Sequence, residues 1–409
     1  MASAKLWTIA FRDLLRNRRR SLFTLLAVAL GLALLMVFNG LIAGVWEDTL
    51  QNSIRLRTGH LQLRSPSYQE KKLSLQWQDL LDNPDGLATR LNHMSEVKAA
   101  TPVLWAGSIL STGDESVSLR IFGIDPASQF YNPIRESLVS GEFLTPDDRG
   151  GIMMGQPLAA SLGVGAGQKV NLALVNADGQ ADEATFTIRG LFSTGIVSYD
   201  ESAVFMPLGK AQAFAGTGQR ASAIVVLLNR QDDTEKVAAA IQGPDVATLT
   251  WREANQFVLQ TVETAMNFYM ILDGIVMLIV AVIIANTLLM AVFERFREIG
   301  ILAALGMKGR QITQMFLFEA SILGLAGIGV GFVLGSAGVI YLSNVGIPLG
   351  AAASAAGSNF ALGSTMYAHF VPGTFIWLSL WTLVFVLLAS LYPARFAARQ
   401  EPVDALRSL

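Results

Sequence analysis

The 409-residue chain is 52% hydrophobic and 15% charged, carries a formal net charge of −2 and has no cysteine. Soluble domains are nearer a quarter charged, so this apolar excess points to membrane spans rather than one greasy core. Without cysteine there is no disulfide, thiolate metal site or cysteine nucleophile, and without a basic patch interleaved with aromatics there is no reason to expect nucleic acid.

In chain order, residues 1–20 include "KLWTIAFRDLLRNRRR", which sets Leu6, Ile9, Leu14 and Leu15 among basic residues. An amphipathic helix on the cytoplasmic membrane surface is expected there, and a plain basic flank fits the same residues. Residues 21–46 hold no charge, and as a helix they would reach about 39 Å, enough to cross a bilayer with tilt. The run is about twice the length of a signal-peptide core, so it is read as a retained span.

Residues 47–262 alternate strand and helix patterns. "HLQLRS", "SVSLRIFGI", "KVNLALV", "ATFTIRGLF", "SAVFMPL" and "AIVVLL" are predicted strands, and "WQDLLDNPDGLATRLNHM", "GKAQAFA" and "DTEKVAAAIQG" predicted helices. The order suggests an α+β domain with two sublobes. Trp251–Met270 is helical in pattern and runs into the uncharged stretch Gly274–Phe293, so residues 263–293 are read as a stalk and a second span.

Residues 294–312, "ERFREIGILAALGMKGRQI", interrupt the apolar sequence with four charges in the first five positions. As a helix they place Phe296, Ile299, Leu302 and Leu305 on a drifting stripe, with Gly306 suited to a C-terminal cap. Glu294, Arg295, Arg297 and Glu298 are expected to face water, head groups or a partner. After Glu319 no Asp, Glu, Lys or Arg occurs before Arg395. That stretch is too long for one helix, so spans are assigned to 313–343 and 372–394, with a short outer loop at 344–371 and a tail at 395–409. The expected fold is an integral membrane protein with four transmembrane helices and a large extracytoplasmic α+β domain between the first two. Gly327, Gly331 and Gly335 form a small-residue ridge for close helix packing, inside the bundle or at a subunit interface.

Orientation follows from Lys and Arg near the span ends. Basic residues gather in the N-terminal flank, at Arg295, Arg297, Lys308 and Arg310, and in the tail, whereas the loop at 344–371 has none. Both termini and residues 294–312 are therefore expected in the cytoplasm and residues 47–262 outside.

Catalytic patterns are thin. His60, His93 and His369 stand alone, which disfavours a metal site. "SEVK" matches Ser-x-x-Lys without the partner motifs of serine enzymes, and "GVGAGQKV" lacks the Lys-Ser/Thr end of a phosphate loop. No chain of acids suggests a proton relay across the spans. No enzyme activity, cofactor or ATP site is expected in the chain.

The layout and "FERFREIGILAALGMKGRQITQMFLFEA" resemble the FtsX-like permeases of ABC systems, which include the MacB pumps and the LolC and LolE lipoprotein-release subunits. "FRDLLRNRRRS" and "YPARFAARQEPVDALRSL" extend the resemblance to both ends, and "RIFGIDPAS", "LVSGEFL", "GQPLAASLGVGAGQKVNLAL" and "IRGLFSTGIVSYDESAVFMPLGKAQAF" are similar to the LolC/LolE type. The resemblance implies a bacterial inner-membrane permease working with a second permease chain, homo- or heteromeric, and a dimer of separate cytoplasmic ATPases that hold ATP and Mg. Residues 294–312 would then be the coupling helix, with Glu294 to Ile299, Leu302, Leu305 and Gly306 as its contact residues. Membrane lipids and a periplasmic carrier or adaptor complete the implied partners. Lipoprotein release is the leading implied function. Efflux of peptides or drugs in the MacB manner, or a non-transporting relay to a periplasmic partner in the FtsX manner, are the alternatives. "LALVNADGQADEATFTI" is short and proline-free where LolC has its proline-containing hook, which favours a LolE-like or unassigned role.

Overall fold

The computed structural model describes residues 18–350 and 361–399, apart from positions 114, 149 and 244, together with Arg12, Leu14 and Arg16. The surface helix expected over 1–20 lies mostly outside the described residues, as do 351–360 of the outer loop and the tail beyond 399.

Helix α1 (Arg18–Ser53) continues through a π-helical turn, Ile54–Thr58, into a ten-stranded sheet. Its strands are β1 (Leu61–Arg64), β2 (Val97–Thr112), β3 (Glu115–Ile124), β4 (Leu138–Gly141), β5 (Gly151–Gly155), β6 (Lys169–Val175), β7 (Ala181–Phe192), β8 (Ala203–Pro207), β9 (Ala223–Leu228) and β10 (Ala247–Thr250). Helices α2 (Pro84–Asn92), α3 (Leu208–Ala215) and α4 (Thr234–Ile241) accompany it. Then follow α5 (Gln256–Glu294), α6 (Phe296–Ala304), α7 (Gly309–Val345) and α8 (Pro372–Ala398). Among the described residues four helical stretches are long and apolar enough to cross a membrane: Arg18–Thr58, α5, α7 and α8. The fold is a four-span helical membrane protein with a large α+β domain inserted between the first and second spans. The chain divides into two compact units, 46–262 with 348–365, and the remaining residues.

In the sheet unit the strand path runs β10-β1-β9-β2-β3-β8-β5-β7-β4, and β6 bridges β7 back to β2. Strands β2, β3, β8, β5, β7 and β6 therefore close a ring around a core that includes Leu110, Met153, Leu172, Phe186, Phe192 and Phe205. Beyond β2, strands β9, β1 and β10 extend the sheet and bury Leu61, Leu63 and Ile224 beneath α2 and α4. The two sublobes expected from the sequence are two cores on one continuous sheet that share β2. Strand β9 is apolar throughout because its faces alternate between them: Ala223 and Val225 enter the first core, Ile224, Val226 and Leu228 the second.

Four strands of this sheet escape the sequence reading: β2, β4, β5 and β10. The longest, β2, contains Pro102, which normally argues against an inner strand. Pro102 lies one residue before pairing with β3 begins at Val103, so β9 alone flanks it there. Of the predicted helix "WQDLLDNPDGLATRLNHM" only Pro84–Asn92 is α-helical. Asn83, which precedes a proline, takes a left-handed conformation, and its side chain caps α2 by accepting from the Gly86 N–H. The expected continuous helix from Trp251 breaks at Asn255, whose side chain accepts from Ser53 Oγ at 2.6 Å and donates to the Trp251 carbonyl.

In the helical unit, Leu32, Leu35 and Met36 of α1 pack with Met277 of α5, Val339 of α7 and Phe375 and Leu378 of α8. Asn39 donates to the carboxylate of Asp273 at 3.1 Å, a polar tie between α1 and α5. The outward residues of α5, including Ile271, Ile275, Leu278 and Val282, are exposed and apolar, as lipid contact requires.

Candidate functional site

Helix α5 stops at Glu294 because Arg295 leaves the helical region, at φ −111° and ψ 17°. Helix α6 then runs for nine residues and ends in a Schellman cap. Gly306, at φ +93°, donates to the Ala303 carbonyl, and Met307 donates to that of Leu302. The side chain of Gln311 accepts from the Lys308 N–H where α7 begins. So residues 294–312 form a short helix between two sharp breaks, and the last four of them belong to α7.

The drifting stripe does not act as one face. Positions three apart fall about 60° short of a full turn at each step, so from Phe296 to Leu305 the stripe crosses half the helix. Ile299 is 3% exposed and packs with Val292, Ile312, Met315, Phe316, Ala394 and Ala397. Phe296 and Leu302 are half-buried, while Leu305 is 81% exposed. The outward face is Arg297, Ile301, Ala304 and Leu305, and Ile301 was not among the residues expected there.

A second correction concerns Arg295, expected to face solvent or a partner. Its side chain is buried, because a buried carboxylate on α7 draws it inward. Glu319, 1% exposed, sits 3.3 Å from Arg20 Nη2 and 3.6 Å from Arg295 Nη1. Arg20 also donates to Glu294 at 2.9 Å, Arg295 to Glu298 at 3.1 Å, and Arg16 to Glu298 at 2.6 Å. Burial acts to raise the proton affinity of Glu298, but Arg16 and Arg295 outweigh it and hold this carboxylate below its ordinary range. The cluster thus ties the start of α1, the end of α5, α6 and α7 around the break at Arg295. Arg16, Arg20 and Glu319 went unassigned in the sequence, although an acid inside the apolar run "MFLFEASIL" signals a required partner.

The glycine ridge is occupied within the chain. A Cβ on Gly331 would lie 2.7 Å from the Ala29 carbonyl oxygen, one on Gly327 2.8 Å from Val28 Cβ, and one on Gly335 2.8 Å from Met36 Sδ. All three face α1, so backbone approaches backbone between α1 and α7 rather than at an exposed surface.

Four helices able to span a membrane, an inserted α+β domain and a short amphipathic helix between the second and third of them make up the architecture in which this site sits. Residues 21–243 match the MacB-like periplasmic core domain and residues 270–402 the FtsX-like permease C-terminal domain. The chain belongs to the FtsX-like family of ABC transporter permeases. It is 24% identical over 419 residues to the lipoprotein-releasing system transmembrane protein LolE of Haemophilus influenzae, covering 94% of each chain. It is 24% identical over 298 residues to LolC of Neisseria meningitidis, covering 69% of this chain and 68% of that one. With the macrolide export ATP-binding/permease protein MacB of Marinobacter nauticus it shares 25% identity over 98% of this chain and 60% of the other.

Proposed function

We propose that the chain is the membrane subunit of an ABC transporter, driven by a separate dimer of cytoplasmic ATPases that hold ATP and Mg. The observation that carries this reading is α6. Its inner face is fixed by Ile299 and the ion-pair cluster, while Arg297, Ile301 and Leu305 face outward. A helix tethered on one side, with Ile301 and Leu305 exposed beside Arg297 on the other, suits insertion into a groove, because its position is set before the partner arrives. Two permease chains, as a homo- or heterodimer, would present two such helices. The basic residues Arg12, Arg16 and Arg18 to Arg20 favour a cytoplasmic location for this end, in the bacterial inner membrane, with the sheet domain on the periplasmic side.

Release of lipoproteins or another lipophilic cargo from the outer leaflet is the function the relatives favour. The LolE-type relative aligns along nearly the whole chain, whereas the macrolide exporter extends well beyond it.

Affinity purification of the tagged full-length chain from its native membrane tests the coupling. The wild type is expected to retain an ATPase; Ile301→Asp and Leu305→Asp are expected to lose it while unfolding at the wild-type temperature. Failure of the wild type to bring down any ATPase, or its retention by both variants, overturns the reading. Leu302→Asp is a weaker probe because Leu302 is half-buried.

A further inference from the structure

Asp273 on α5 is a half-buried carboxylate that no cation among the described residues meets. Asn39 of α1 donates its side-chain N–H to the two carboxylate oxygens at 3.1 and 3.2 Å, and to the Leu35 carbonyl at 3.0 Å. No Lys or Arg occurs between Arg20 and Arg55, between Arg252 and Arg295, or between Arg310 and Arg395. A second copy of the chain would bring the same spans without a basic residue, so they could not supply the missing charge either. Glu319 is the contrast, since Arg20 and Arg295 both lie against it.

Depth narrows the kind of partner. Asp273 precedes Glu294 by 21 positions on α5, and Asn39 follows Arg20 by 19 on α1. At 1.5 Å per residue both separations come to about 30 Å, one hydrocarbon thickness. With the Arg20–Glu294 pair at one membrane surface, Asn39 and Asp273 reach head-group depth at the other. Tyr269, one turn before Asp273 on the same side of α5, packs edge-to-face on Phe38 of α1 with ring centroids 5.7 Å apart. Aromatic rings are common at this depth, and their faces attract cations. A carboxylate partly removed from water is costly without a positive partner, and an ionisable group in a span is by default a functional site. A calcium ion would take about six to eight oxygen ligands, and among the described residues no three acidic or histidine side chains gather to hold a metal.

We propose that Asp273, positioned by Asn39, binds a primary ammonium group with Tyr269 beside it. An ammonium brings one positive charge and three N–H donors to a carboxylate that receives a single amide from the protein. A lipid with an ethanolamine head and a soluble amine share this chemistry. Because the site joins α1 and α5, occupancy would hold those two helices together at this end. The proposal needs the spans and the contact between Asn39 and Asp273, and it is independent of ATPase coupling.

The test is native mass spectrometry of the full-length chain in neutral detergent, titrated with phosphatidylethanolamine and with phosphatidylglycerol of the same tails, and then with ethanolamine as competitor. Phosphatidylethanolamine is expected to bind with an affinity about tenfold above that of phosphatidylglycerol. Asp273→Asn, similar in shape but uncharged, is expected to abolish that preference and Asp273→Glu to keep part of it. Glu136→Gln, at an exposed position of the sheet unit, is expected to leave it intact. If ethanolamine displaces the lipid at similar concentration, the ligand is a soluble amine; if it does not, it is a lipid head group. Equal binding of the two lipids overturns the proposal, as does an unchanged preference in Asp273→Asn. An unfolding temperature of Asp273→Asn equal to that of the wild type excludes misfolding as the cause of its loss, and Asp273→Glu tests the charge if the two differ.

Discussion

Arg295 Nη1 lies 3.6 Å from Glu319 Oε2, and both side chains are buried. Arg20 completes the set from α1, so one carboxylate on α7 faces cations from two other segments. Removing one member of a buried ion pair leaves its partner uncompensated, at a cost of about 3–5 kcal/mol. Glu319→Ala is expected to lower the thermal unfolding midpoint of the detergent-solubilised chain by several degrees. In a double-mutant cycle with Arg20→Ala the two losses should fall well short of additive. Additive losses would show that the residues do not share one network.

The two faces of α6 predict opposite responses to similar changes. Ile299→Ala removes a side chain from a packed core and should cost about 2–4 kcal/mol. Leu305→Ala, at an 81% exposed position, should stay within about 0.5 kcal/mol. Equal effects in chemical denaturation would mean that α6 does not pack as described.

A methyl group distinguishes two glycines on α7. At Gly331 it would meet the backbone of Ala29 at 2.7 Å, while at Gly329 nothing lies within 4 Å. Gly331→Ala must push α1 and α7 apart and is expected to cost about 1–3 kcal/mol. Gly329→Ala should be neutral or slightly stabilising, since alanine favours the helix. Comparable unfolding temperatures for the two variants would argue against the contact between α1 and α7.

Burial pushes the carboxyl of Asp200 up to about 6, although Thr194 donates to it through both its backbone N–H and its hydroxyl. In an unfolded chain the group ionises near its ordinary value of 3.8. Between these two values the folded state holds the proton more tightly, so stability falls as pH rises from about 4 to about 6. The loss is about 3 kcal/mol and is nearly complete above pH 6. Unfolding followed from pH 4 to 7 should show wild type losing ground to Asp200→Asn across that interval. A constant gap between them would exclude this titration.

Much of the architecture was legible in local pattern. Uncharged runs long enough to cross a bilayer marked the spans, because a lipid-facing helix has no tolerance for scattered charge. Strands such as Lys169–Val175 and Ala223–Leu228 showed themselves by alternation or continuous apolarity. The breaks around 294–312 were visible in a charge cluster and a glycine. Less legible was β2, where a proline contradicted the strand until the absence of a partner on one side at Pro102 explained it.

The sequence by itself determined where the apolar surface must be buried or placed in lipid, since hydropathy and periodicity are properties of neighbouring residues. The tertiary structure alone decided which polar groups meet. Arg16 and Glu298 are 282 positions apart, and Arg20 and Glu319 are 299 apart. Nothing local records such pairings. They arise because helices far apart in the chain pack side by side, and a buried charge is tolerated only where that packing supplies its counterpart. The same packing turned Gly327, Gly331 and Gly335 toward α1, divided the two faces of α6, and set Asn39 against Asp273.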